Sequence, residues 1–177
     1  MMIIQYEDIT LRAIEEEDLE LLKDMINDPE IENMTGGYSF PVSTYQQKKW
    51  FENLSSGQNE LRLIIEVANH GAIGVFMLTD IDWKNKTAQT HIKIANNKEF
   101  RAKGYGAKAY KLLIKYAFEQ LNLNCIYNYT LEYNTILERT KERWGFKKDG
   151  VLRERVYKNG QYHNLIAWSL LKGEFHD

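Results

Sequence analysis

Arg101-Ala-Lys-Gly-Tyr-Gly106 is the stretch on which the reading of this chain turns. An apolar run, His91 to Ala95, leads towards it, and a long amphipathic segment leaves it. Glycine has no Cβ, so Gly104 and Gly106 let the main chain approach a ligand closely. A helix that begins in such a loop offers unpaired N–H groups and the positive end of its dipole, which suits phosphate. Lys98, Arg101, Lys103 and Lys108 add positive charge around it. A glycine-containing helix start with solvated lysines reads the same way, so these six residues need support from the rest of the chain.

Working backwards, Thr87 to Ala95 has the alternation of a strand, and Asp82 to Lys86 is a turn before it. Leu61 to Val67 and Ala72 to Leu78 alternate as well, with Asn69-His-Gly71 between them as a hairpin signal. Ser43 is a good N-cap for a helix carrying Tyr45, Trp50, Phe51 and Leu54. Leu19, Leu21, Leu22, Met25 and Ile26 mark an earlier helix that Asn27-Asp-Pro29 stops, and Asn33 to Phe40 is a loop. Ile9, Leu11 and Ala13 form the first strand.

Working forwards, Tyr105, Ala109, Leu112, Leu113, Tyr116 and Leu121 give the helix one apolar face. Cys125 to Leu131 is then a strand parallel to its predecessor, since a helix connects them. Asn134 to Trp144 is a short helix closed by Gly145. Asn159-Gly160 joins a final pair of strands. The sum is an α+β domain over 1–177: a mixed, mostly antiparallel sheet, helices on both faces and a central βαβ unit. A dinucleotide-binding domain has repeated βαβ units, and here a meander precedes the loop instead.

Composition excludes several classes. The formal net charge is -2, so a strongly basic nucleic-acid surface is not indicated. The one cysteine, Cys125, permits no internal disulfide, and the four histidines lack zinc-ligand spacing, so no metal is expected. Met1 to Asp8 resembles no leader, and no apolar run reaches the roughly 20 residues of a membrane span. A cytoplasmic chain with no nucleic-acid or membrane partner is expected. A homodimer is compatible with its aromatic content.

The chain resembles the GNAT-superfamily N-acetyltransferases, and within them the ribosomal-protein N-terminal acetyltransferase (RimJ/RimL-type) branch. Arg101-Ala-Lys-Gly-Tyr-Gly106 matches the pattern [QR]-x-x-G-x-[GA]. Asn134, twelve residues before Phe146 in Trp144-Gly-Phe146, matches an N…LGF segment. Leu152 to Gly160 resembles that branch's closing hairpin, and Leu78 to Trp83 its middle turn.

The resemblance implies acetyl-CoA as acyl donor and a primary amine as acceptor, whether a protein N-terminus, an amino acid, another small amine or an aminosugar. It implies diphosphate on the N–H groups of Arg101, Ala102, Lys103, Gly104, Tyr105, Gly106 and Ala107. It places the pantetheine arm beside Ile92 and Ile94, with an oxyanion donor among the backbone N–H groups there. It gives Asn134 a hydrogen bond to that arm, a role compatible with helix capping, since a cap uses only the side-chain oxygen.

Catalytic groups are less uniform. Where many relatives carry an acid tyrosine, seven residues after Asn134, this chain has Lys141. Seven residues are about two helical turns, so Lys141 faces the same way as Asn134. It is either an ammonium that assists the thiolate or a solvated member of the charged face with Glu138 and Glu142. Where relatives often have a glutamate, Gln89 stands, and it cannot be a base. His91, on the same strand face, has the right basicity and is either base or structural. Glu132 and Tyr133 are further candidates, and Glu30, Glu32 and Glu60 either attract a cationic amine or are ordinary surface acids. The rival function is a non-catalytic acyl-CoA-binding sensor or scaffold, which Gln89 and Lys141 favour.

Overall fold

The computed structural model describes residues 4–37, 40–54, 58–100 and 103–176. Eight strands form one sheet in the order β1-β2-β3-β4-β5-β6-β8-β7. They are β1 (Ile4–Tyr6), β2 (Ile9–Arg12), β3 (Leu61–Val67), β4 (Gly71–Asp82), β5 (Thr87–Ile94), β6 (Cys125–Leu131), β7 (Lys147–Lys158) and β8 (Gln161–Leu171). The helices are α1 (Leu19–Asn27), α2 (Pro29–Asn33), α3 (Thr44–Glu52), α4 (Tyr105–Glu119) and α5 (Thr135–Arg143). Every strand pairing is antiparallel except β5 with β6, the two strands that α4 connects.

The β5–β6 pairing sets up everything that follows. It joins only Thr87 to Gln89 with Cys125 to Tyr127, although β5 runs on to Ile94 and β6 to Leu131. Beyond Gln89 the two strands part. The amide of Ala95 donates to the carbonyl of Ile73 on the β4 side at 2.8 Å. Successive residues of a strand turn their polar groups to opposite edges, so Ile92 and Ile94 present theirs to the gap.

Each face of the sheet carries its own core. On one, α4 lies over Ile9, Leu11, Ile65, Phe76 and Leu78, with Tyr110, Leu113 and Phe118 buried to 1% exposure or less. On the other, Leu22 and Met25 of α1 pack against Ile64 and Val75, with Trp50 of α3 beside them. Gly74 lies where the strands crowd: a Cβ there would meet the Lys93 carbonyl oxygen at 2.3 Å. Backbone cannot swing away as a side chain can. Gly74→Ala is therefore expected to destabilise the fold by about 1–3 kcal/mol, read as a lowered thermal midpoint.

Several boundaries differ from the sequence reading. Asn27-Asp-Pro29 does not simply stop a helix. Asp28 accepts from the amides of Glu30 and Ile31 and starts α2, with Pro29 in its first turn. In α3 the buried side chain is Gln47, while Tyr45 is 67% exposed. The buried face of α4 is broader than expected and includes Tyr110, Ile114, Ala117 and Phe118. Asn159-Gly160 does make the last hairpin, both residues having positive φ. No helix among the described residues is long and apolar enough to cross a membrane.

Candidate active site

The gap between β5 and β6 opens into a cavity of about 760 Å³. His91, Ile92 and Lys93 line it from β5, and Asn128 and Thr130 from β6. Lys141 reaches it from α5, and residues 34 to 37 cover it. That cover is fastened at its root. Lys158 at the end of β7 donates to the carbonyl of Glu32 at 2.8 Å and to its carboxylate at 2.6 Å. Tyr133 donates to the Asn33 carbonyl at 2.6 Å, and Asn159 to the Asn33 side chain at 2.7 Å. The loop after α2 and the last hairpin thus hold each other.

Lys141 is not a solvated surface lysine. It is 0% exposed, and burial pushes its amine well below the ordinary lysine range. Its Nζ donates to the Tyr110 hydroxyl at 2.5 Å and lies 4.0 Å from the centre of that ring and 4.3 Å from that of Phe146. Desolvating an ammonium that has no anionic partner is costly, which disfavours the charged form. The Tyr110 hydroxyl also meets Thr90 Oγ1 at 2.7 Å and accepts from Asn128 Nδ2 at 3.4 Å. Burial moves the phenol upwards, which keeps its proton on. Lys141, Tyr110, Thr90 and Asn128 form one polar cluster at the wall of the cavity.

Tyr110 was missed in the sequence because no motif marks it. The available signal was its place four residues before Ile114 on an otherwise apolar helix face. A buried tyrosine there requires a partner for its hydroxyl.

His91 lines the same cavity, its Nε2 3.0 Å from Thr79 Oγ1. Burial first, and Lys93 second, lower its pKa, so it is a free base at neutral pH. Glu132 accepts from the Asn164 amide and side chain at 2.9 and 2.8 Å, which holds it ionised and occupied. Tyr133 is engaged with Asn33, as above. Asn134 caps α5 by accepting from the Leu137 amide at 3.2 Å, while its Nδ2 contacts the Met34 carbonyl at 3.4 Å. The cap foreseen for that side chain is therefore made, and its nitrogen is turned towards Met34.

At the far end of β5, α4 starts at Gly104, whose φ of 76° is left-handed. Its N-cap residue has no side chain to bond the first amides, and no acid lies in its first turn. Its first amides therefore stand open, and they fit an anion. Lys103 is exposed beside them. A Cβ on Gly106 would meet only Ile94 at 3.7 Å and Ile92 at 4.0 Å, an ordinary contact. Backbone conformation thus favours glycine at Gly104, while the space at Gly106 also takes alanine, which is how the matched pattern reads. Lys108 serves elsewhere: it bridges Glu7 and Asp8 at 2.8 and 3.0 Å. Arg101 and Ala102 lie outside the described residues.

Comparison with known proteins agrees with this geometry. The family model of the acetyltransferase (GNAT) domain matches residues 8–147. The SPbeta prophage-derived uncharacterized N-acetyltransferase YokL of Bacillus subtilis is 27% identical over 96% of this chain and 93% of its own. The putative ribosomal N-acetyltransferase YdaF of the same species is 38% identical, over 58% of this chain and 55% of its own. The crystal structure of spermidine N-acetyltransferase from Vibrio cholerae in complex with CoA and spermine is similar at a TM-score of 0.87. It is 26% identical, covering 94% of this chain and 97% of that one. With the family model spanning most of its length and a parted strand pair beside an uncapped glycine-started helix, this chain belongs to the GNAT acetyltransferases.

Proposed function

We propose that residues 1–177 form one acetyltransferase domain in which His91 and Lys141 move the two protons an ammonium loses in becoming an amide. The observation that carries this is the fully buried Lys141 at the wall of the cavity where β5 and β6 part. The open amides of Tyr105, Gly106 and Ala107, with Arg101, Ala102, Lys103 and Gly104 before them, hold the diphosphate of acetyl-CoA. The free edges of Ile92 and Ile94 and the side-chain amide of Asn134 hold its pantetheine arm. Acetyl-CoA supplies a thioester carbonyl, and an N–H on the β5 edge faces its oxygen.

A bound alkylammonium titrates near 10.4 and must lose one proton before it attacks. His91, held neutral, accepts that proton and passes it to water. The second proton goes to sulfur through Lys141. Its amine is disfavoured as a cation only while no anion is near. A thiolate forming beside it raises its basicity, so Lys141 stabilises the leaving group and then returns the proton. Spermidine acetyltransferases among the similar proteins, one of them solved as a dodecamer, leave the acceptor and the assembly of this chain to direct test.

The test is release of free thiol from acetyl-CoA in the presence of primary amines. Acceptor-dependent release supports transfer. A thermal shift with acetyl-CoA and no release with any amine would favour a sensor. His91→Gln is expected to lower kcat/KM by about 100-fold. Because the His91 pKa lies below its ordinary value, the base is present above that value and lost as pH falls through it. The wild-type rate should show this additional fall on the acid side, below about pH 6.5, and His91→Gln should not.

A further inference from the structure

Beside the candidate active site lies a second cavity of about 470 Å³, walled by Leu22, Met25, Trp50, Val75 and Met77 among others. Arg62, Met77 and Lys93 line both cavities, so the two share one partition. The sheet register places this partition. Arg62 of β3 is opposite Met77 of β4, which is opposite His91 of β5. Lys93 follows His91 by two residues and so lies on the same face. Neighbouring strands are about 4.8 Å apart, so the Arg62 main chain stands about 10 Å from that of His91. The two side chains approach one small molecule from either end.

The charged side chains that line this partition are basic. No aspartate or glutamate among the described residues lines either cavity. The acids expected to attract a cation are engaged outside them. Glu32 pairs with Lys158 at 2.6 Å, Glu60 with Arg62 at 2.8 Å, and Glu30 accepts from Asn96 at 2.9 Å. Arg62 is left half-used. Its Nε is buried with no partner, and its Nη1 has only the Met77 sulfur at 3.1 Å, a weak acceptor. Among the described residues, Lys93 has no hydrogen-bond or ion-pair partner, and burial weakens its hold on a proton. Two basic side chains at the rim of an apolar cavity, one with its Nε and Nη1 unmatched by any carboxylate and the other with no hydrogen-bond or ion-pair partner among the described residues, fit a carboxylate brought by the ligand.

We infer that the acceptor is an amine that also carries a carboxylate and an apolar body: an apolar α-amino acid rather than a polyamine. This rests on the acetyl-transfer reading above. The amine lies towards His91 and the gap, the carboxylate takes Arg62 and Lys93, and the apolar side chain enters the cavity between α1, α3 and the sheet. A polyamine would bring ammonium groups to Arg62 and Lys93 and find no carboxylate on the walls.

The test follows thiol release from acetyl-CoA with L-leucine, L-methionine, L-phenylalanine and L-tryptophan, each beside its amide, and with spermidine. At least one acid is expected to exceed both its amide and spermidine in kcat/KM by about 30-fold, the worth of a charge-assisted hydrogen bond. Arg62→Leu should shrink that ratio to about threefold or less, and Arg62→Lys should leave it in between, with thermal midpoints confirming that both fold. Amides or spermidine turned over as well as the acids would overturn the inference and leave acetyl transfer standing. So would a ratio that folded Arg62→Leu does not change. Binding of acetyl-CoA without thiol release from any of these amines overturns the transfer reading, and the inference with it.

Discussion

Lys141→Met is expected to lower kcat by about 100-fold while making the protein more stable at neutral pH. The two effects have one origin. The amine has no carboxylate partner, and burial disfavours its charged form at a cost in stability. Methionine fills nearly the same volume among Tyr110, Trp144 and Phe146 without that cost. The Tyr110 hydroxyl keeps Thr90 and Asn128, so it is not orphaned. A gain of about 2 kcal/mol would raise the thermal midpoint by about 4–8 °C in a chain of this size.

The pH dependence fixes the sign. A lysine whose folded pKa lies below its unfolded value binds more protons when unfolded. Wild-type stability should therefore rise with pH from the folded value up to about 10.4. Lys141→Met should lack this part of the rise. Thermal melts of both proteins from pH 7 to 10 measure it. A variant less stable than wild type, with an unchanged slope, would show that the amine is charged and paired after all. Affinity for CoA should be unchanged, which separates loss of chemistry from loss of binding.

The second large effect is expected at Gly104. Its φ of 76° is a conformation that a β-branched residue scarcely adopts, and the amides that follow are the open ones. Gly104→Val must either strain the turn or move the start of α4. Either outcome rotates the first amides away from a common point, and CoA affinity is expected to fall by about 30-fold or more, or roughly 2 kcal/mol. Gly106→Ala is the control. The space around it takes a methyl group without displacement, so its affinity should stay within about threefold of wild type. Isothermal titration with CoA distinguishes the two. Equal losses would mean that backbone freedom at Gly104 is not what holds the diphosphate.

Most of the sheet was legible because its strands alternate cleanly and because Asn159-Gly160 and the glycine loop punctuate the chain. What escaped had weak local signals. β1 is a three-residue edge strand, half exposed, and exists through its pairing with β2. α2 depends on the Asp28 cap rather than on any apolar period. The glycine start of α4 and the Asn134 cap could be placed because a helix start and a cap are local properties. The state of Lys141 could not. In sequence it lies between charged neighbours and looks solvated; only the fold brings Tyr110, Trp144 and Phe146 around it. The basic partition at Arg62 and Lys93 joins different strands across a sheet, which no spacing in the chain encodes.

A crystal structure with CoA tests the central claim most directly. The account predicts diphosphate on the amides of Tyr105 to Ala107, pantetheine along Ile92 and Ile94, and sulfur within about 3.5 Å of Lys141 Nζ. Sulfur far from Lys141, or CoA bound away from the start of α4, would contradict it.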